Sequence, residues 1–338
     1  METNLDNHRQ AKPCIQARNL VLGYEKDRQI NTVAANVSFD LFGGELTCMM
    51  GPNGVGKSTL LKAILNQNLP LKGTILMGEK EIGLLDDQDR AKTIAVVLTE
   101  KIRSGLMTVR ELVALGRTPH TGWLGHLSKT DNDIVDRVLK MTHLDLISGK
   151  KLAELSDGQR QTAMIARALA QDSGILILDE PTAHLDLTNR FEIMYLLKKL
   201  AKEADKAILV VTHDLEVAME TADQLWIMSH QEPLVSGSPE DLMLEGQIQK
   251  LLPGNKWEID ANNGKIRLKN PSVLPEITGP KHVRHWVRNA LRKNIDLPMP
   301  EKIITTDNPL EIIVYKAQKS TSFSSISAMI RFFKKGTL

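Results

Sequence analysis

Aromatic side chains are scarce: Phe, Trp and Tyr make up 4% of the 338 residues. Proteins that grip single-stranded nucleic acid stack its bases on aromatic rings, so this scarcity argues against such a binder. Charge of one sign is also lacking, since the formal net charge is only +2 and no polyanion-binding field covers the whole surface. Cysteine is nearly absent. Cys14 and Cys48 lie in apolar, strand-like stretches without metal-ligand spacing, and they are expected to be buried thiols in a reducing compartment rather than a disulfide. The opening METNLDNHRQ has no apolar core, so no secretory signal is expected. Long hydrophobic runs are missing too. Segments 175–178 (ILIL) and 207–211 (AILVV) are strand-length, far short of the ~20 residues that span a bilayer, and the chain is not expected to cross a membrane by itself.

The length exceeds one average domain, so a large domain plus a smaller one is expected. The charge is uneven. From residue 255 onward there are 15 Lys and Arg against 7 Asp and Glu, a net of +8, which leaves −6 for the residues before it. Such a basic tail suits an anionic lipid, a nucleic acid, an acidic partner, or only a solvated surface. Near the start, strand-like CIQARNLVL (14–22) leads to a turn from Gly23 to Arg28, then to VAANVSFDL (33–41) and ELTCMM (45–50). A helix is expected from Lys57 to Asn66. Residues 103–170 read as helical, in pieces at 108–115, 130–141 and after Ser156; Thr108 followed by Glu111 is a capping-box pattern. Strands and helices then alternate to 228, which implies a mainly parallel sheet covered by helices. Past Pro253-Gly254 come a hairpin turning at Asn263-Gly264, an amphipathic helix over 281–293 with Val283, Trp286, Val287, Ala290 and Leu291 on its apolar face, a strand at 311–315 and a helix at 325–333.

Chemistry is concentrated in three segments. Residues 51–58, GPNGVGKS, match G-x-x-x-x-G-K-[ST] between a strand and a helix. Glycines let the backbone from Gly51 through Pro52, Asn53, Gly54, Val55 and Gly56 curl so that its N–H groups, which Pro52 lacks, point at phosphate oxygens. Lys57 supplies a point charge to the terminal phosphates, and Ser58, followed by Thr59, offers a hydroxyl to Mg2+. In 175–182, ILILDEPT, an apolar strand ends in two carboxylates. Asp179 is placed to hold Mg2+, and Glu180 to orient or deprotonate an attacking water. In 155–161, LSDGQRQ, a Ser/Gly segment opens a helix, which is an anion site by geometry.

With these three segments present in order, residues 15–254 resemble the ABC transporter ATPases. That resemblance implies an α/β fold: a P-loop nucleotide-binding domain with a mainly parallel sheet, an antiparallel β part and a helical subdomain at about 103–170. It also implies ATP and Mg2+ as ligands and a homodimer sandwiching ATP, in which Ser156, Asp157, Gly158 and Gln159 form the signature facing the partner's phosphates. Tyr24 stands where an aromatic stacks on adenine, Asp186 of AHLD (183–186) in the loop coupling the two sites, and His213 of THD (212–214) where a switch histidine meets the γ-phosphate. Two positions depart from the pattern. Asp157 replaces the usual glycine, and the loop that normally carries a glutamine offers Glu100 or Thr99, with Glu100 as a further Mg2+ ligand.

Segments 108–120, 155–171 and 181–197 are similar to the ATPases of type II importers, which serve iron–siderophore, haem or cobalamin uptake. Kinship with them implies separate transmembrane permease subunits, an extracytoplasmic substrate-binding protein as an indirect partner, and a peripheral place on the cytoplasmic face of the inner membrane. A soluble ABC ATPase of DNA repair or translation is the competing reading. Those carry two cassettes or long coiled-coil insertions, whereas the 103–155 insertion is short and poorly heptad-patterned. An exporter ATPase is a third reading, disfavoured by the importer-like helical segment. Residues 255–338 are expected to form a small accessory α/β domain, either packed on the cassette or regulatory.

Overall fold

A computed structural model describes residues 12–26, 29–98, 106–122, 125–252, 254, 256–260, 264–269, 274–294, 296–316 and 319–335. Ile15–Lys26 (β1) and Gln29–Leu41 (β2) pair antiparallel, and Leu46–Met50 (β3) enters a second sheet. After Lys57–Ile64 (α1), Lys72–Met77 (β4) and Lys80–Glu81 (β5) complete the first sheet in the order β2-β1-β4-β5. The turn expected from Gly23 does not begin there. Both strands run on, with Gly23 opposite Thr32 and Tyr24 opposite Asn31. The register shifts beside Gly23, and a side chain at that position would come within 2.3 Å of the Asn31 carbonyl oxygen. The glycine therefore marks an irregular strand with close backbone approach, not a reversal.

The second sheet is built from β3 and from Ile94–Val97 (β6), which follows Asp87–Thr93 (α2). Helices Val109–Ala114 (α3), Lys129–Met141 (α4) and Asp157–Ala170 (α5) intervene before Ile175–Asp179 (β7). Leu187–Glu203 (α6), Ala207–Val211 (β8), Leu215–Thr221 (α7), Gln224–Ile227 (β9), Val235–Gly237 (β10) and Pro239–Leu244 (α8) complete this part. The order is β10-β9-β3-β8-β7-β6, parallel throughout except for the β10-β9 edge. Along β7, Ile175 and Ile177 pack with Phe39, Leu60 and Trp226, whereas Leu176 and Leu178 pack with Leu112, Ile165 and Leu197. Both faces of the sheet are covered, which is why these strands read as unbroken apolar runs. Leu178→Ala would cost about 2–5 kcal/mol through the cavity it leaves.

Local chemistry starts each helix between β6 and β7. Thr108 caps α3 in a capping box with Glu111, Ser128 caps α4 with Asp131, and Ser156 caps α5 with Gln159. One buried ion pair ties them together. Arg117 Nε donates to Asp131 Oδ1 at 2.8 Å, and Arg117 Nη1 donates to the Ala170 carbonyl oxygen at the end of α5, also at 2.8 Å.

Contacts divide the described residues near 253, with 259–265 grouped with the first unit. Trp257–Ile259 (β11) and Ile266–Leu268 (β12) form a two-stranded ladder. The second unit carries Glu276–Thr278 (β13), Lys281–Arg292 (α9), Lys302–Thr306 (β14), Glu311–Lys316 (β15), Lys319–Phe323 (β16) and Ile326–Lys334 (α10). Its sheet runs β13-β14-β15-β16, with only the β13-β14 pair parallel. Val283, Val287 and Leu291 of α9 and Met329 and Phe333 of α10 pack on Ile303, Ile312 and Val314. Trp286 departs from the apolar face expected for it and is 57% exposed. At 3.6 residues per turn it lies about 100° from the centre of the Val283–Val287–Leu291 stripe.

Candidate functional site

The segment between β3 and α1 wraps the head of that helix. Gly56 stands at its N-cap with φ of 111°, a left-handed conformation that side chains resist, and Val55 is buried beneath it. Lys57 Nζ donates to the carbonyl oxygens of Gly51 (2.7 Å) and Pro52 (3.0 Å), and so stays inside the loop it follows. Asn53, Gly54, Lys57, Ser58, Asp179, Glu180 and His213 line one cleft of about 380 Å³. Parallel strands deliver the last three side chains to the same end of the sheet. Asp179 ends β7, Glu180 follows with its N–H on the Val211 carbonyl oxygen (2.9 Å), and His213 lies just past β8.

Electrostatics in this cleft are opposed by burial. Burial pushes the Lys57 amine down, and the carboxylates of Glu180 and Asp179 pull it back up. Burial and then the charge of Glu180 push the Asp179 carboxyl up, against Lys57 and His213. Glu180 Oε1 lies 3.0 Å from His213 Nε2, with Glu180 itself in a left-handed conformation (φ 49°). A cation, a helix head and two carboxylates in one polar cleft suit a phosphate chain and the water that attacks it.

Ser156, Gly158 and Gln159 do not line this cleft. They border a separate groove of about 990 Å³ between the end of α4 and α6. The head of α5 therefore borders this groove rather than the phosphate cleft of the same chain, with the Ser156 and Gln159 N–H groups held in the reciprocal capping box (3.2 Å each).

The sequence model of the ABC transporter family matches residues 34–183. An uncharacterised ABC transporter ATP-binding protein of Methanocaldococcus jannaschii is 38% identical over 283 residues, which are 81% of this chain and 96% of that protein. The chain belongs to the ABC transporter ATP-binding family. The achromobactin transport ATP-binding protein of Dickeya dadantii is 34% identical, with 70% of this chain and 86% of that protein covered. The ferric enterobactin transport ATP-binding protein of Escherichia coli is 32% identical over the same shares. Among solved structures, the dimeric structure of a bacterial ABC transporter cassette is 31% identical with a TM-score of 0.56, covering 67% of this chain and 98% of that one. A dimeric cassette in a post-hydrolysis state bound to ADP and Pi is 30% identical with a TM-score of 0.55, covering 67% and 98%. This chain is an ATP-binding, ATP-hydrolysing ABC subunit.

Other candidate residues of the cassette have definite places. Tyr24 is 39% exposed at the edge of β1, and its hydroxyl lies 3.1 Å from Thr59 Oγ1 on α1. Asp157, the signature departure, is drawn back along its own helix by Arg160 at 2.9 Å. Gly158 packs so closely on Asn189 that a Cβ would come within 2.9 Å of its amide oxygen. Asp186 caps α6, accepting from Asn189 N (2.8 Å) and Asn189 Nδ2 (2.9 Å). Asp186, Asn189 and Gly158 thus stand in line, linking the 183–186 loop to the signature helix. Thr99 and Glu100 lie outside the described residues. Sequence reasoning missed Asn189 and Arg190, since polar residues inside a helix announce no partner.

Proposed function

We propose that this subunit energises a type II importer for iron complexes, with two copies of the chain closing on ATP. The observation that carries the closing of two copies on ATP is the separation of the two anion-binding elements. The Lys57 cleft and the Ser156–Gly158–Gln159 groove lie apart on one chain, so each needs a partner's complement to enclose a triphosphate. In that dimer Gly51–Thr59 cradles the phosphates, Tyr24 flanks the base, and the partner's signature closes the far side.

Mg2+ fits the donor set. Asp179 and Ser58 offer one carboxylate and one hydroxyl in the same cleft, the few hard oxygens a phosphate-bound Mg2+ takes from protein. Bound there, the ion would neutralise phosphate charge and align the γ-phosphate. Glu180 orients and deprotonates the attacking water. His213, held against Glu180, reads whether the γ-phosphate is present. Asp186 carries the state of one site toward the other.

Relatives named for achromobactin and ferric enterobactin transport support iron complexes as the cargo class. Among the described residues no helix is long and apolar enough to cross a membrane. We therefore assign the membrane path to separate permease subunits, fed by an extracytoplasmic binding protein, with this chain peripheral on the cytoplasmic face. Capture of the chain from its native membrane in mild detergent tests the reading. Co-purification of a polytopic permease supports it, and recovery with ribosomal or DNA-repair proteins alone overturns the transport assignment.

A further inference from the structure

We infer that Arg190 is a positioning residue that keeps the Glu180–His213 pair in register with the 182–186 loop, an inference that rests on the ATPase reading of that cleft. Arg190 lies on α6 and its guanidinium reaches two loops at once. Nε donates to the Leu185 carbonyl oxygen at 2.9 Å, and Nη1 donates to Asp214 Oδ2 at 3.1 Å. Leu185 ends a double turn that begins at the candidate base: Ala183 N donates to the Glu180 carbonyl oxygen (3.1 Å), and Leu185 N to that of Thr182 (3.3 Å). Within it, Glu180 and His184 hold left-handed conformations, φ 49° and 65°. Non-glycine residues keep such conformations only where their surroundings enforce them. At the other end, Asp214 directly follows His213. It donates its N–H to Thr212 Oγ1 (3.1 Å) and accepts from Val217 N (3.3 Å) as the cap of α7.

These contacts close a ring. It runs from Glu180 through the double turn to Leu185, across Arg190 to Asp214, and back through His213, whose Nε2 meets Glu180 at 3.0 Å. A planar guanidinium serves both acceptors at a fixed angle, which a single ammonium does not. Because the ion pair is partly exposed, at 39% and 20%, it adds little to stability, and its contribution is to geometry. A shift of the 183–186 loop, whatever moves it, is passed by this route to the two side chains that face the γ-phosphate.

The test uses the full-length chain, Arg190→Gln, Asp214→Asn and the double variant, with Glu180→Gln as inactive reference. Turnover at saturating ATP, the KM for ATP and the melting temperature are measured for each. Turnover is expected to fall at least about tenfold in each single variant, as when a catalytic group is displaced by a fraction of an ångström. The double variant falls no further, because both changes break one link. KM and melting temperature stay near those of the unsubstituted chain. Unchanged turnover overturns the inference, and so does a joint loss of turnover, ATP affinity and thermal stability, which marks a merely structural pair. An unsubstituted chain that turns over no faster than Glu180→Gln removes the ATPase reading itself, and this inference with it.

Discussion

Burial works against both Lys57 and Asp179, while each favours the other's charge across the phosphate cleft. The cleft is thus kept polar at a cost that a bound triphosphate and its cation would relieve. Because the Lys57 amine is pushed down, ATP affinity is expected to weaken at a lower pH than an ordinary lysine would allow. The sign follows from the charged form, which binds phosphate and is lost as pH rises through the lowered pKa; a titration of Kd against pH checks it. Glu180 has a different task. Glu180→Gln is expected to lower phosphate release by about 100-fold or more, the usual contribution of a general base, with ATP binding retained by equilibrium dialysis. Asp157 needs no such role, since Arg160 holds its carboxylate. Asp157→Asn should shift stability by only about 0.5 kcal/mol, the scale of an exposed i,i+3 pair, read as a small change in melting temperature.

At the scale of elements, the helical part depends on Arg117 and Asp131, whose side chains are 6% and 9% exposed. Hydrogen bonds from Ser128, then from Arg117, hold the Asp131 carboxyl down at about 2. A depressed carboxyl stabilises the fold above its unfolded pKa of about 3.9. That contribution is lost as pH falls from there through about 2, so acid unfolding monitored on this part should track that window. Asp131→Ala leaves Arg117 charged and buried and is expected to cost about 3 kcal/mol or more, read as a lowered melting temperature. None of this partnership was visible in the sequence. Positions 117 and 131 are far enough apart along the chain for nothing local to join them, and an arginine in LGRTPH gives no hint of its acceptors. By contrast, the capping box of Thr108 and Glu111 was legible because all its atoms lie within one turn. The runs at 175–178 and 207–211 were legible because both their faces are covered. Strands β13, β14 and β16 went unread, being short or rich in Lys, Ser and Thr on an uncovered face. Gly23 misled because close approach and a turn favour the same residue.

For the whole molecule, the phosphate loop, Asp179 and Glu180 were legible because each ends or follows an apolar strand of a parallel sheet, whereas His213 was legible only through the family resemblance. The ring through Arg190 was not, since it exists only after β7, β8 and α6 have packed. The basic second unit has its own core around Val287, Ile303 and Phe333. Removing residues 255–338 is expected to leave ATP binding within about twofold, a change of about 0.4 kcal/mol, while altering regulation or dimer lifetime; loss of the cassette's fold would contradict that. Two copies of the chain are expected to complete each other's ATP site. Sedimentation of the Glu180→Gln chain with and without Mg2+-ATP tests it most directly. A monomer that becomes a dimer on adding ATP, and fails to do so when Ser156 is replaced by Arg, is the expected result. A chain that stays monomeric at saturating ATP, or a dimer indifferent to the signature substitution, would contradict it.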